Sequence, residues 1–134
     1  MAGYSGTPLA KKLGIKADTA VALIDAPDRM EEQLAPLPER VGLRFDSGGT
    51  VRTALLFVRS RADLAAGFDG AAGCVEAKGH LWIAWPKKAS GVVTDVTEPL
   101  VRSFGLARGF VDYKICAIDA TWSGLCFARR AAKA

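Results

Sequence analysis

Three short apolar runs, separated by helix punctuation, constrain this chain more than anything else in it. Thr19-Ala-Val-Ala-Leu-Ile24, Thr53-Ala-Leu-Leu-Phe-Val58 and His80-Leu-Trp-Ile-Ala-Trp85 show no polar alternation after their first residue. Each therefore reads as a strand covered on both faces. Helix-like stretches follow the first two. Asp28-Arg-Met-Glu31 and Ser60-Arg-Ala-Asp63 carry a capping-box pattern, with Met30 and Leu34 on one face of the first helix and Leu64, Phe68 and Val75 at helix-face spacing in the second. Strands alternating with helices call for an α/β domain whose mostly parallel sheet is sandwiched between helical layers.

The remaining elements are read from caps and turns. Thr7-Pro-Leu-Ala-Lys-Lys-Leu-Gly14 predicts a short helix, capped by Thr7, with Pro8 in its first position and Gly14 as its stop. Pro36 and Pro38 close the helix that starts at Asp28. Val41 to Phe45 predicts a weak edge strand, and Asp46 to Arg52 is short for a parallel crossover, so the direction of that strand stays open. Thr97 or Asp95 caps a helix running to about Leu106, with Gly109 beyond its end. Phe110 to Asp119 alternates, placing Val111, Tyr113, Ile115 and Ala117 on one side, and Leu125 to Arg130 returns after the turn Ala120 to Gly124. A turn that short joins antiparallel strands. The 134 residues make one domain, with residues 1–6 and 130–134 expected to be flexible.

Charge and cysteine usage narrow the function classes. The net charge of +4 is partly local, in Lys11, Lys12 and Lys16 near the start and Arg129, Arg130 and Lys133 near the end. No aromatic residues interleave with these cations as a stacking surface would need, so nucleic acid is not an expected partner. Cys74, Cys116 and Cys126 are far apart, and His80 is the only histidine. Short-spaced zinc ligands are absent, and the thiols read as reduced, apolar side chains of a cytoplasmic protein. No run is long and apolar enough for a membrane span or a signal peptide core.

The order of helix, parallel strands and final antiparallel pair resembles the Rossmann-like fold of the S-adenosylmethionine-dependent methyltransferases. Thr53 to Ser60 resembles the fourth strand of that fold, Gly79 to Trp85 its fifth, and Phe104-Gly-Leu-Ala-Arg-Gly-Phe110 the join into its sixth. The resemblance implies the methyltransferase strand order with the third strand missing. Tyr4-Ser-Gly-Thr-Pro-Leu-Ala-Lys-Lys-Leu-Gly-Ile15, Trp85-Pro-Lys-Lys-Ala-Ser-Gly91 and Thr121-Trp-Ser-Gly-Leu125 are similar to segments of the bacterial domain-of-unknown-function 3052 family. That family carries no activity to transfer. The turn after the first strand, Asp25-Ala-Pro-Asp-Arg29, departs from working methyltransferases: it has no glycine, and Pro27 removes an N–H group. Asp46 is the only acidic candidate for a ribose contact, on a doubtful strand.

Ligands of open parallel sheets bind beyond the carboxyl ends of the strands. That edge collects Asp25 to Asp28, Arg59, Ser60 and the loop Pro86 to Val93. Lys87, Lys88, Ser90 and Gly91 suit a phosphate or carboxylate, aided by the following helix N-terminus. Ser5, Gly6 and Thr7 would add donors if the first helix packs nearby, and Trp122 reads either as a stacking ring or as a buried one. A solvated loop explains the lysines equally, and Asp95 and Asp119 read as a helix cap and a turn acceptor. No acid–base or nucleophilic constellation is assembled. The sequence-based expectation is a non-catalytic binding or regulatory module for an anionic small molecule, with no cofactor named. A methyltransferase with a degenerate cofactor loop and a homodimer formed through the final hairpin are the alternatives.

Overall fold

Residues 7–130 are described by the computed structural model. Most of the two stretches expected to be flexible lies outside the described residues. Arg130 is tied down, its N–H donating to the Gly109 carbonyl at 2.8 Å.

The first helix, α1 (Leu9–Lys12), is a single turn. Gly14 ends it with φ of 77°, and the Ile15 and Gly14 N–H groups donate back to the Ala10 and Lys11 carbonyls at 3.0 and 3.1 Å. That pairing closes the helix as a Schellman motif. The chain continues through β1 (Ala20–Ile24), α2 (Met30–Leu34), β2 (Gly42–Arg44), β3 (Val51–Phe57), α3 (Arg61–Cys74) and β4 (Val75–Pro86). It ends with α4 (Glu98–Ala107), β5 (Phe110–Ala117) and β6 (Trp122–Arg129).

The sheet has the order β2-β1-β3-β4-β6-β5, with β1 to β4 parallel and β6 antiparallel to both of its neighbours. The three apolar runs occupy its centre as β1, β3 and β4. Their side chains alternate between two separate cores. Ala22, Leu56, Leu81 and Ile83 face α3 and α4 with Leu64, Phe68 and Val101. Leu23, Leu55, Phe57 and Trp82 face α1 and α2 with Leu13, Met30 and Leu34.

The open question at Val41 resolves in favour of a parallel strand, because β2 lies on the far side of β1 from β3. The link from Arg44 to Val51 must cross two strand spacings, about 9.6 Å, and step back along the sheet by about 10 Å. Seven residue steps reach about 23 Å when extended. Length therefore suffices without a crossover helix, since β2 has only three residues.

The structure departs from the local readings at three places and settles one alternative. Asp28 does not cap α2; Arg29 does, at φ of 71° and with no side-chain hydrogen bond. Val75 begins β4 rather than ending a helix face, and β4 absorbs the extra residues in a bulge, since Val51 pairs with Val75 but Thr53 with His80. The two candidate caps before α4 serve different helices. Thr97 accepts from the Leu100 N–H at 3.3 Å, whereas Asp95 accepts from the Arg61 N–H at the start of α3 at 2.8 Å. Finally, a bulge between Asp112 and Lys114 breaks the expected alternation of β5, and Val111, Tyr113 and Ile115 are exposed on this edge strand.

Asp95 supplements the cap that α3 draws from Ser60, whose hydroxyl accepts from the Asp63 N–H at 3.1 Å. Asp95→Ala leaves one N–H of that helix start to solvent. It is expected to lower stability by about 1 kcal/mol in urea denaturation.

Candidate functional site

The parallel strands β1, β3 and β4 deliver their loops to one edge of the sheet. The strand order reverses there, since β2 is laid down on one side of β1 and β4 on the other side of β3. A crevice outside such a reversal is where open α/β sheets bind ligands.

The turn after β1 takes glycine-like backbone conformations without glycine. Asp25 has φ of 57° and Arg29 φ of 71°. Each left-handed residue with a Cβ costs about 1–2 kcal/mol, so the surrounding packing holds the turn in this shape. Pro27 contributes its carbonyl, which accepts from the Met30 N–H at 3.3 Å. Beside the turn lies a cavity of about 400 Å³, walled by Asp25, Pro27, Asp28, Arg29, Glu31 and Phe45. Phe45, just past β2, is 57% exposed. Its ring gives the cavity an exposed apolar face, and the buried Leu23 and Met30 also line it. Asp46 is not among the lining residues of this cavity, and its Oδ1 accepts from the Gly48 N–H at 3.0 Å.

A second cavity of about 540 Å³ opens beyond β4 and is lined by Trp85, Lys88, Gly91, Val92, Val96 and Glu98, among others. Lys88 and Gly91 are thus brought together, but against mostly apolar walls and opposite a carboxylate. Lys87 and Ser90 are not among its lining residues. The Lys87 N–H donates to the Thr121 carbonyl at 2.8 Å, and the Ser90 hydroxyl accepts from the Val92 N–H at 3.1 Å, which shapes the loop. Thr7 lines neither of these two cavities. Ser5 and Gly6 lie outside the described residues.

Arg59 stands between the cavities. Its Nη1 donates to the Asp25 carbonyl at 3.1 Å, and its guanidinium carbon lies 5.0 Å from the centre of the Trp122 ring. The Thr94 hydroxyl, from the wall of the second cavity, donates to the Arg59 carbonyl at 2.7 Å. Trp122 is buried and meets Phe57 edge-on at 5.2 Å. It supports Arg59 and is not open to a ligand. The residues collected at this edge therefore border two cavities, with the stacked Arg59 between them. Sequence reasoning placed Arg59 at this edge but missed its position, because its partners Asp25 and Trp122 come from distant strands. Phe45 was missed too; its place at the end of the weak strand expected over Val41 to Phe45 was its only signal.

A titratable cluster sits at the opposite, amino end of the parallel strands. The Tyr113 hydroxyl shares a hydrogen bond with His80 Nδ1, and the Cys126 thiol donates to the same hydroxyl at 3.3 Å. Burial raises the Tyr113 hydroxyl and pushes the Cys126 thiol up to about 11. Burial, together with the charges of Arg52, Lys114 and Lys16, holds His80 below the usual histidine range. All three are neutral at pH 7, and the cluster is structural in character. Among the described residues, no group of three or more His, Cys, Asp or Glu side chains is placed to hold a metal, and no helix is long and apolar enough to cross a membrane.

No protein-family model and no curated protein sequence matches the chain. Solved structures do. N-methyltransferase NodS from Bradyrhizobium japonicum WM9, in complex with S-adenosyl-L-homocysteine, aligns with a TM-score of 0.61 at 12% identity, covering 90% of this chain and 83% of that one. The fold is that of a methyltransferase. An rRNA methylase from Streptococcus thermophilus aligns over 96% of this chain and 100% of its own, with a TM-score of 0.58 and 11% identity. Magnesium protoporphyrin IX methyltransferase from Synechocystis PCC 6803 with bound SAM gives the same TM-score of 0.58 at 11% identity, covering 90% of this chain and 74% of that one. The methyltransferase-like sheet found here is mostly parallel with an antiparallel C-terminal pair, and β2 leads straight to β3 without an intervening strand.

Proposed function

We propose that the cleft beside the β1 turn binds an adenosyl ligand of the S-adenosylmethionine type, and that the protein acts as a methyltransferase with a glycine-free cofactor turn. The observation that carries this reading is the coincidence of three features at one place in a methyltransferase fold. These are the reversal of strand order, a cavity of about 400 Å³, and a β1 turn that holds Asp25 and Arg29 at positive φ. The residues present fit such a ligand. Phe45 offers a face for a purine to stack on. Asp25, Asp28 and Glu31 supply negative charge for a sulfonium and an ammonium group. When bound, the ligand would supply a methyl group on positively charged sulfur. The chain's own part is to hold the nucleoside and to present the neighbouring cavity, with its apolar walls, to an acceptor.

Calorimetric titration with S-adenosylhomocysteine tests the reading. Micromolar binding is expected; no binding up to millimolar concentration overturns it. The second reading, a non-catalytic module for an anionic ligand, draws support from Lys88 and Gly91 on the wall of the other cavity. Inorganic phosphate would then raise the melting temperature of the wild type but not of a Lys87→Ala/Lys88→Ala variant. Membership of the domain-of-unknown-function 3052 family is compatible with both readings.

A further inference from the structure

Several cations stand near the carboxyl edge, and two of the arginines are already committed. Arg29 pairs with Glu32 at 3.3 Å. Arg61 donates its backbone N–H and its Nε to Asp95. Arg59 differs. One of its five guanidinium donors is used, on the Asp25 carbonyl, and among the described residues Nε and Nη2 have no hydrogen-bond partner. The plane of the group is fixed from below by the Trp122 ring and at one corner by the Asp25 carbonyl. Stacking and a single anchoring bond leave the free edge of the fork pre-oriented, so little rotamer entropy remains to be lost when it binds.

From this geometry we infer that Arg59 is the residue that anchors the carboxylate of the ligand's amino-acid end. The inference rests on the adenosyl reading above and deepens it. Arg59 does not itself line the β1 cavity but bonds to Asp25 in its wall, and Asp28 and Glu31 of the same wall make it acidic. A positive ammonium group fits the acidic wall, and a negative carboxylate does not. The carboxylate of the same amino-acid end then has the guanidinium at the divide as its counter-ion, and its two oxygens accept a pair of parallel N–H···O bonds from the fork. Lys88 does not compete for this role, because it lies in the other cavity, across the divide.

The test compares two ligands that share the adenosyl thioether. S-adenosylhomocysteine carries the amino-acid end; 5′-methylthioadenosine lacks it. Wild-type protein is expected to bind the first about 10–100-fold more tightly, the range for charge-assisted hydrogen bonds. Arg59→Gln keeps a shorter amide donor and removes the charge, and Arg59→Ala removes both. In Arg59→Gln the preference is expected to fall to near unity, while methylthioadenosine binds as it does to wild type. A preference that survives in both variants overturns the inference and leaves the adenosyl reading standing. Equal loss of both ligands from Arg59→Gln, with circular dichroism unchanged, also overturns it, since Arg59 would then support the turn rather than the ligand. Failure of both ligands to bind wild type removes the adenosyl reading, and this inference falls with it.

Discussion

Replacing Trp82 with alanine is expected to cost about 3–5 kcal/mol of stability, a large part of what a domain of this size has. Trp82 lies in the middle of β4, fully buried on the side covered by α1 and α2. Its Nε1 donates to the carbonyl of Leu13, the residue that ends α1, at 3.0 Å. A four-residue helix does not persist alone in water. α1 is held by Leu13 and Ile15 in the core, by this indole bond, and by Lys114 Nζ donating to the Lys12 carbonyl at 2.6 Å. Alanine opens a cavity beneath the helix and leaves the Leu13 carbonyl without its partner. Trp82→Phe removes the hydrogen bond but keeps most of the ring, so about 1–3 kcal/mol is expected for it. Urea denaturation of the two variants separates the terms. Equal losses in both would mean that the hydrogen bond, and not the packing, carries the effect. Hydrogen exchange at Leu13 to Ile15 is expected to quicken more than at the β3 amides.

What the sequence revealed and what it concealed divide along the reach of the interactions involved. The central strands were legible because burial on both faces leaves an unbroken apolar run, and Thr53 to Val58 can be little else. Gly14, Ser60 and Gly109 were legible because caps and stops act over three or four residues. Their geometry follows: Gly14 and Gly109 have φ of 77° and 86°, and Ser60 accepts from Asp63. The pattern Asp28 to Glu31 misled because the turn before it is shaped by Asp25, Pro27 and the cavity, and it places Arg29 at the helix start. β2 was ambiguous since its direction depends on lying outside β1, which no local pattern records. The break in the alternation of β5 was hidden for a similar reason, as a one-residue bulge moves every later side chain to the opposite face and no local pattern marks it. For the site, the carboxyl-edge rule correctly put Asp25, Lys88 and Gly91 at one edge. It could not show that Arg59 and Trp122 meet there and divide the space in two.

Gly79→Ala should destabilise the protein by about 2–3 kcal/mol, at the upper end of overpacking. A Cβ at Gly79 would stand 2.3 Å from the Arg52 carbonyl oxygen and 2.6 Å from Val75 Cγ1. The oxygen belongs to the backbone of the adjacent strand, so no side-chain rotation relieves the clash. Gly79 lies in the bulge through which β4 shifts register, between the Val51–Val75 and Thr53–His80 pairs. There the Arg52 guanidinium donates to the Lys78 carbonyl at 3.3 Å and pairs with Glu76 at 2.9 Å, drawing the two backbones together. Gly73→Ala provides the opposite sign. It lies in α3 with nothing within 4 Å of the added carbon, so a gain of about 0.4–1 kcal/mol is expected from the less flexible unfolded chain. The strain at Gly79 falls at the amino end of β4, whereas Thr53–His80 to Phe57–Ala84 pair in unbroken register up to the carboxyl edge. The Gly79 variant is therefore expected to lose stability without losing ligand affinity, as titration below its melting temperature would show. A matching loss of affinity would mean that the bulge positions the binding edge as well as the strand.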